Sequence, residues 1–461
     1  MIRGSAKQSA EGPGTRAPGW DLLTEVFGDP AMSQIFSEKA AITGWLEAER
    51  ALAIAEAKVG VLDENDAKAI AAAAVPESID LSQLWEQTRN VGYPILPLIR
   101  MVSAQLAPAP GGRVHFGATT QDIMDTGLVL QSVRALARLE ELLVSFGDRV
   151  AALVEEHWST VLAARTHAQQ AVPTTFGAKL AVLLSECDRH RERICQLRPR
   201  LAVVSLYGAG GTSAALGPHA REIRAIMADE LGLATEDVPW HVARDRQVEL
   251  GLFCAMLAST AARFAREIIE LSRTELHEAT ESEGYHRGAS STMPQKANPI
   301  TSEVVVGMAG VAGALASSLF TAMRPVHERA AGEWHIEWYV LPELARLAAG
   351  ALFWSVDVAS GLRVFPDSML RNLELDGGLV LAEAYMMRLA ASLGRERAHD
   401  LVYEAATNSR KTGRSLLDVL RSLAPPEASL ALAELGGGVR AEDYLGDVAF
   451  TCRAAVAAWR G

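Results

Sequence analysis

Apolar residues recur at helical spacing from Ser37 to Val59, at Ile42, Trp45, Leu46, Leu52 and Ala53, and Gly60 stops the run. Shorter helices follow to about Gly112, broken at Pro76, Pro94 and Pro97. Then the texture changes. Gln121 to His157 contains no proline, which permits one helix of up to 37 residues, about 55 Å long. Four more long helices are predicted over Thr174–Arg198, Arg244–Thr280, Ile300–Arg324 and Glu337–Val358. Helices of this length imply an extended antiparallel bundle with faces left for neighbouring subunits. Beyond Arg363 the periods shorten, to Gly378–Leu393, Arg395–Thr407, Ser415–Ala424 and Ala441–Trp459. No stretch alternates with the period of a strand. The reading is all-α: a long-helix bundle over 113–363, flanked by smaller helical domains over 20–112 and 364–461. Residues 1–19, rich in Gly, Ser, Ala and Pro, are expected to be a disordered arm.

Composition narrows the class of function. Half of the chain is hydrophobic (49%) but only 6% is aromatic, so the apolar content is Ala, Leu and Val, which favours helices. Lys and Arg total 44 against 56 Asp and Glu, a net charge of −12. That argues against nucleic acid and anionic membranes as partners. The N-terminus lacks the hydrophobic region of a signal peptide. The apolar run Val304–Ala316 is too short for a span of roughly 20 residues and is expected to be a helix buried on all sides. Four scattered cysteines, without metal spacing, fit a reducing cytoplasm. Gly208-Ala209-Gly210-Gly211 lacks the Lys-Ser/Thr of a phosphate-binding loop, so no cofactor and no metal are expected.

The chemistry concentrates in Gly288–Glu303, G-A-S-S-T-M-P-Q-K-A-N-P-I-T-S-E. Pro294 and Pro299 exclude a helix, so a polar loop sits between two long apolar helices. Adjacent hydroxyls at Ser290 and Ser291 can supply a base or nucleophile beside backbone N–H donors, and Lys296 can hold a substrate carboxylate.

This loop resembles the G-S-S-x-M-P-x-K-x-N-P signature of the fumarase/aspartase superfamily. Ser290, Ser291, Met293, Pro294, Lys296, Asn298 and Pro299 are in register, while Ala289 stands where the family has glycine. The likeness runs from about Phe27 to the end of the chain. The second stretch, Arg165–Thr174, resembles the family's T-H-x-Q block. The third, His115–Thr126, sets Thr119 and Thr120 before the longest helix, where N–H groups and the helix dipole attract anions; simple capping by Thr120 would look the same. The resemblance implies Ser290 as the base and His167 as a proton relay. It implies substrate binding by Thr119, Thr120, Thr166, Lys296 and Asn298, with the loop amides of Ser291 through Met293 stabilising the Ser290 alkoxide at the substrate, and a structural Asp122. In Trp240–Arg246, Arg244 is either a substrate ligand or part of an ion-pair cluster. His327–Arg329 and Trp334–Trp338 read equally as functional groups or as a packed subunit contact.

Several blocks most resemble the branch that holds 3-carboxy-cis,cis-muconate cycloisomerases and adenylosuccinate lyases. Gln295-Lys296-Ala297 departs from the His-Lys-Arg or His-Lys-Gln usual there. Loss of those charges favours a dicarboxylate. The expected activity is therefore β-elimination from a substituted succinate such as nitrosuccinate, releasing fumarate and a small nitrogen species. The cycloisomerase is the alternative, with Arg113, Arg189 or Arg324 as the missing cation, and a non-catalytic structural homologue is a third, remote reading. The cysteines point to the cytoplasm, and three polar stretches at different ends of long helices, one of them ~55 Å, point to a homotetramer with shared active sites.

Overall fold

The computed structural model describes residues 21–24, 26–329, 331–434 and 436–461; the proposed disordered arm over 1–19 lies outside them. The chain divides into two units. The first comprises 1–142, 191–259 and 307–353, and the second 143–190, 260–306 and 354–461. The segment boundaries fall inside long helices.

In the first unit, α1 (Glu38–Lys58) is capped by Ser37, whose hydroxyl accepts from Ala40 N at 3.2 Å. Its buried face, with Ile42, Leu46 and Leu52, joins a core that includes Leu98, Ile123, Leu206 and Trp240. Against it lies the start of α2 (Thr120–Glu156), a helix of 37 residues. A Cβ on Gly127 of α2 would sit 2.6 Å from the Trp45 ring, so this close approach requires glycine.

In the second unit, the sequence 161–175 forms a hairpin that the periodicity did not predict. β1 (Val161–Thr166) pairs antiparallel with β2 (Gln169–Thr175), and α3 (Phe176–Leu201) starts only after it. The predicted helix from Thr174 is thereby displaced. A bulge between Ala163 and Arg165 masks the alternation. A two-residue pairing follows, β3 (Ala279–Thr280) with β4 (Arg363–Val364). The C-terminal helices close their own core around Tyr385, Leu389, Val402 and Leu420. Trp459 packs on Gly147, where a Cβ would lie 2.2 Å from its ring, and donates to Asp148 at 2.8 Å.

Other helices are α4 (Ala220–Leu231) and the longer α5 (Asp245–Leu271), α6 (Ile300–Ala322) and α7 (Glu333–Ser360). Helix α6 corrects the reading of Val304–Ala316. It spans 23 residues, and only 22% of its most apolar stretch is buried within the chain. By length and composition alone, α5 and α6 are each long enough to cross a membrane.

Candidate active site

In the second unit, the Ser290 loop is pinched at its base. Asn298 donates to Gly288 O through both its backbone N and its Nδ2, each at 2.9 Å, and Ala289 bridges Ala297. Gly288 has φ 66°, and a Cβ there would lie 2.3 Å from Asn298 O. The obligatory glycine is thus Gly288. Ala289 is not among the residues of positive φ, so its methyl group costs the loop nothing there. Below the pinch, Glu281 accepts from Ser302 N and Oγ at 2.6 Å, capping α6, and Arg287 bonds Thr301 and Asp357.

Within this frame Ser290 Oγ accepts N–H bonds from Met293 at 3.1 Å and Thr292 at 3.3 Å. Donors aimed at a hydroxyl oxygen favour its deprotonated form. Ser291, Met293 and Lys296 are exposed around it, and Lys296 forms no ion pair among the described residues. Asn298 commits an N–H of its side-chain amide to the loop's base.

His167 and Ala168 are the two central residues of the turn between β1 and β2, with φ of 50° and 63°. Both angles are positive, as in a type I′ turn, which ordinarily uses Asn-Gly. The strain lifts Thr166 and His167 to an exposed tip. The hairpin's stem is clamped: Arg165 donates to both oxygens of Glu278, at 2.6 and 2.8 Å, and Asn372 Nδ2 joins at 2.8 Å. Glu278 is fully buried.

The first unit holds the threonine turn. Helix α2 begins at Thr120. Asp122 Oδ2 accepts from Thr119 N at 3.0 Å and Gly208 N at 2.9 Å, while Oδ1 accepts from Tyr207 N at 2.9 Å and meets His241 Nε2 at 2.7 Å. The structural role expected of Asp122 is met by these bonds. Thr119 Oγ1, instead of capping the helix, accepts from Arg329 Nη1 at 3.3 Å. Arg329 also donates to Gln121 Oε1 at 3.0 Å and Ala209 O at 3.1 Å. It has no ion pair among the described residues.

Sequence reasoning flagged this arginine only as part of a possible functional block and gave it no role at the threonine turn. Its signal was the His327-Glu328-Arg329 run. Of the three arginines suggested instead, Arg113 lies over Phe116, Arg189 bonds Ser185 and Arg324 bonds Thr321. Arg244 is not a substrate ligand: fully buried, it forks to Asp125 at 2.8 and 3.0 Å and to Glu337 at 2.8 and 2.6 Å. Burial raises the Glu337 carboxyl above its usual range, with Arg244 opposing the shift. Trp334 donates to Asp125 at 3.2 Å and stacks with Tyr93, so the Trp334–Trp338 block is packed interior at this end.

His115, with φ 64°, sets Nδ1 2.6 Å from Glu49 Oε1. Burial lowers its proton affinity, but the Glu49 charge and hydrogen bond outweigh that and raise it. Among the described residues no group of three or more His, Cys, Asp or Glu side chains could hold a metal.

Known proteins give this geometry a context. A family model described as Lyase matches residues 26–313, and one described as Adenylosuccinate lyase C-terminus matches 378–454. A 3-carboxy-cis,cis-muconate cycloisomerase of Pseudomonas aeruginosa is 43% identical over 432 residues, covering 93% of this chain and 94% of that protein. Trans-aconitate decarboxylase 1 of Mycosarcoma maydis is 37% identical over 92% of this chain and 86% of its own. The crystal structure of 3-carboxy-cis,cis-muconate lactonizing enzyme from Pseudomonas putida superimposes with TM-score 0.88 at 37% identity, covering 95% of this chain and 99% of that one. The chain belongs to the fumarase/aspartase superfamily of all-α enzymes, similar to its cycloisomerase and adenylosuccinate lyase branch.

Proposed function

We propose that the protein removes a proton next to a carboxylate with Ser290 as base, and that its substrate is a tricarboxylate handled as in lactone-forming cycloisomerisation. The observation that carries the substrate class is Arg329. A half-buried guanidinium held by three neutral acceptors, on the hydroxyl of Thr119, has two of its five N–H groups left for an anion. It supplies the cation that the neutral Gln295 and Ala297 withhold, and so removes the reason to prefer a dicarboxylate. The relatives point the same way: 3-carboxy-cis,cis-muconate and trans-aconitate each carry three carboxylates.

In the lactone-opening direction, Ser290 takes the proton on carbon beside a carboxylate. The electron pair enters that carboxylate as an aci-form, held by Lys296 and loop N–H groups. It then forms a carbon–carbon double bond as the ring C–O bond breaks and the released carboxylate leaves. Lactonisation is the reverse: the carboxylate oxygen adds to the double bond and Ser290 returns the proton to carbon, with His167 relaying that one proton between Ser290 and solvent. Thr119, Thr120 and Thr166 hold the remaining carboxylates. No step calls for a metal or cofactor.

The second reading is β-elimination from a substituted succinate to fumarate and a small nitrogen species, favoured by the uncharged Gln295 and Ala297. Copies are proposed to form a cytoplasmic homotetramer in which residues from more than one chain complete each site. The exposed apolar side chains of α6, with Val311 52% and Phe320 54% exposed, support that assembly.

The test is a substrate panel followed by ultraviolet absorbance: carboxymuconate and its lactone, trans-aconitate, and substituted succinates including nitrosuccinate. Conversion between carboxymuconate and lactone, weakened about 100-fold in kcat/KM by Arg329→Met, is the expected result. Fumarate from a substituted succinate, with no turnover of a tricarboxylate and no effect of Arg329→Met, would reinstate the second reading.

A further inference from the structure

We propose that the first unit carries a small-anion site apart from the threonine turn, in a cavity of about 630 Å³ beside the N-terminal end of α4. Tyr207, Gly211, Ser213, Arg221, Arg224 and Asp237 are among the residues lining it. Arg224 is 5% exposed, yet it has no carboxylate partner among the described residues. Its guanidinium donates to Leu206 O at 3.0 Å, Ser213 Oγ at 3.0 Å and, weakly, Glu236 O at 3.4 Å, and lies 4.2 Å from the Tyr207 ring centre. The nearby Glu236 carboxylate is already spent on Arg246.

Buried arginines are costly unless paired with an acid. This one meets only neutral oxygens and has N–H groups to spare beside a cavity. Arg221 lies one turn earlier on the same face of α4 and lines the same cavity, also without an ion pair among the described residues. Two uncompensated guanidinium groups on a protein of net charge −12 mark a local basic site. The chemistry they recognise is a compact dianion, a phosphate or a dicarboxylate. Asp237, exposed at the cavity, weakens rather than makes the site. The loop bearing Ser213 also lends Gly208 N to Asp122 and Ala209 O to Arg329. Occupancy therefore acts on the threonine turn through one short loop.

The experiment is calorimetric titration of the full-length protein with inorganic phosphate and, separately, with succinate, at ionic strength fixed with chloride. Arg329→Met is titrated in parallel, so that binding at the threonine turn is recognised and set aside. The expected result is saturable binding of at least one anion, retained in Arg329→Met, weakened about tenfold in Arg221→Met and tightened in Asp237→Asn. Arg221 is exposed, so its replacement leaves the fold in place, which circular dichroism checks. Whichever anion saturates identifies the ligand class. No saturable binding of either anion, or equal affinity in wild type and Arg221→Met, overturns the proposal.

Discussion

Removing the negative charge of Glu278 should loosen the hairpin that carries His167 and slow the enzyme through geometry alone. In Glu278→Gln the shape is kept, but one carboxylate oxygen becomes an NH₂ group facing the Arg165 fork. Arg165 is 20% exposed at its side chain and Glu278 is fully buried, so solvent compensates little. Breaking a buried pair while one partner stays costs about 3–5 kcal/mol, and the acceptor oxygen that glutamine retains lowers this to about 2–4 kcal/mol. Amides of residues 161–175 should then exchange with deuterium roughly 30- to 1000-fold faster. A displacement of the turn by about 1 Å should lower kcat by about 100-fold. The double variant Arg165→Met/Glu278→Leu should recover most of the protection, since apolar pairs replace buried ion pairs at little cost. Asn372 loses an acceptor in it but keeps its bond to Leu276 O at 2.8 Å. Exchange in Glu278→Gln within threefold of wild type would refute the clamp.

Ser290→Ala should lower kcat by more than about 10³-fold while circular dichroism and the melting temperature stay as in wild type, because Ser290 bonds only two N–H groups of an exposed loop; retention of a tenth of the activity would remove Ser290 as base. Mixed oligomers of Ser290→Ala and His167→Ala should regain activity after reversible dissociation, and its absence in demonstrably mixed tetramers would count against shared sites. Burial, helped by Glu49 and opposed by Arg113, pushes the Glu56 carboxyl from 4.5 to about 8. The folded state therefore keeps a proton that the unfolded state gives up. The contribution of Glu56 is full below pH 4.5 and falls towards pH 8, by at most about 1.4 kcal/mol per pH unit. Glu56→Gln lacks this slope, so its stability relative to wild type in urea should rise from pH 5 to 8; parallel curves would contradict the assignment.

The existence of the long helices and of the Ser290 loop was legible in the sequence, though the helix predicted to run to Thr280 ends at Leu271. The 37-residue helix was legible within a residue, because a proline-free run of helical period leaves the backbone one regular solution. The Ser290 loop was legible for the opposite reason, since two prolines forbid continuation. Family resemblance then assigned the loop's residues to roles. The hairpin at 161–175 was not legible. Its alternation is broken by a bulge, and its turn uses His-Ala with two positive φ angles where sequence rules look for Asn-Gly. Such strain is held by contacts far along the chain, here Arg165 with Glu278 and Asn372. The same holds for the cations. Arg244, Arg329 and Arg224 are alike as letters, but one is cancelled by two buried carboxylates and two meet only neutral oxygens. Whether a guanidinium is spent or available depends on which acids, distant in sequence, the fold brings within about 4 Å, and only tertiary structure decides that.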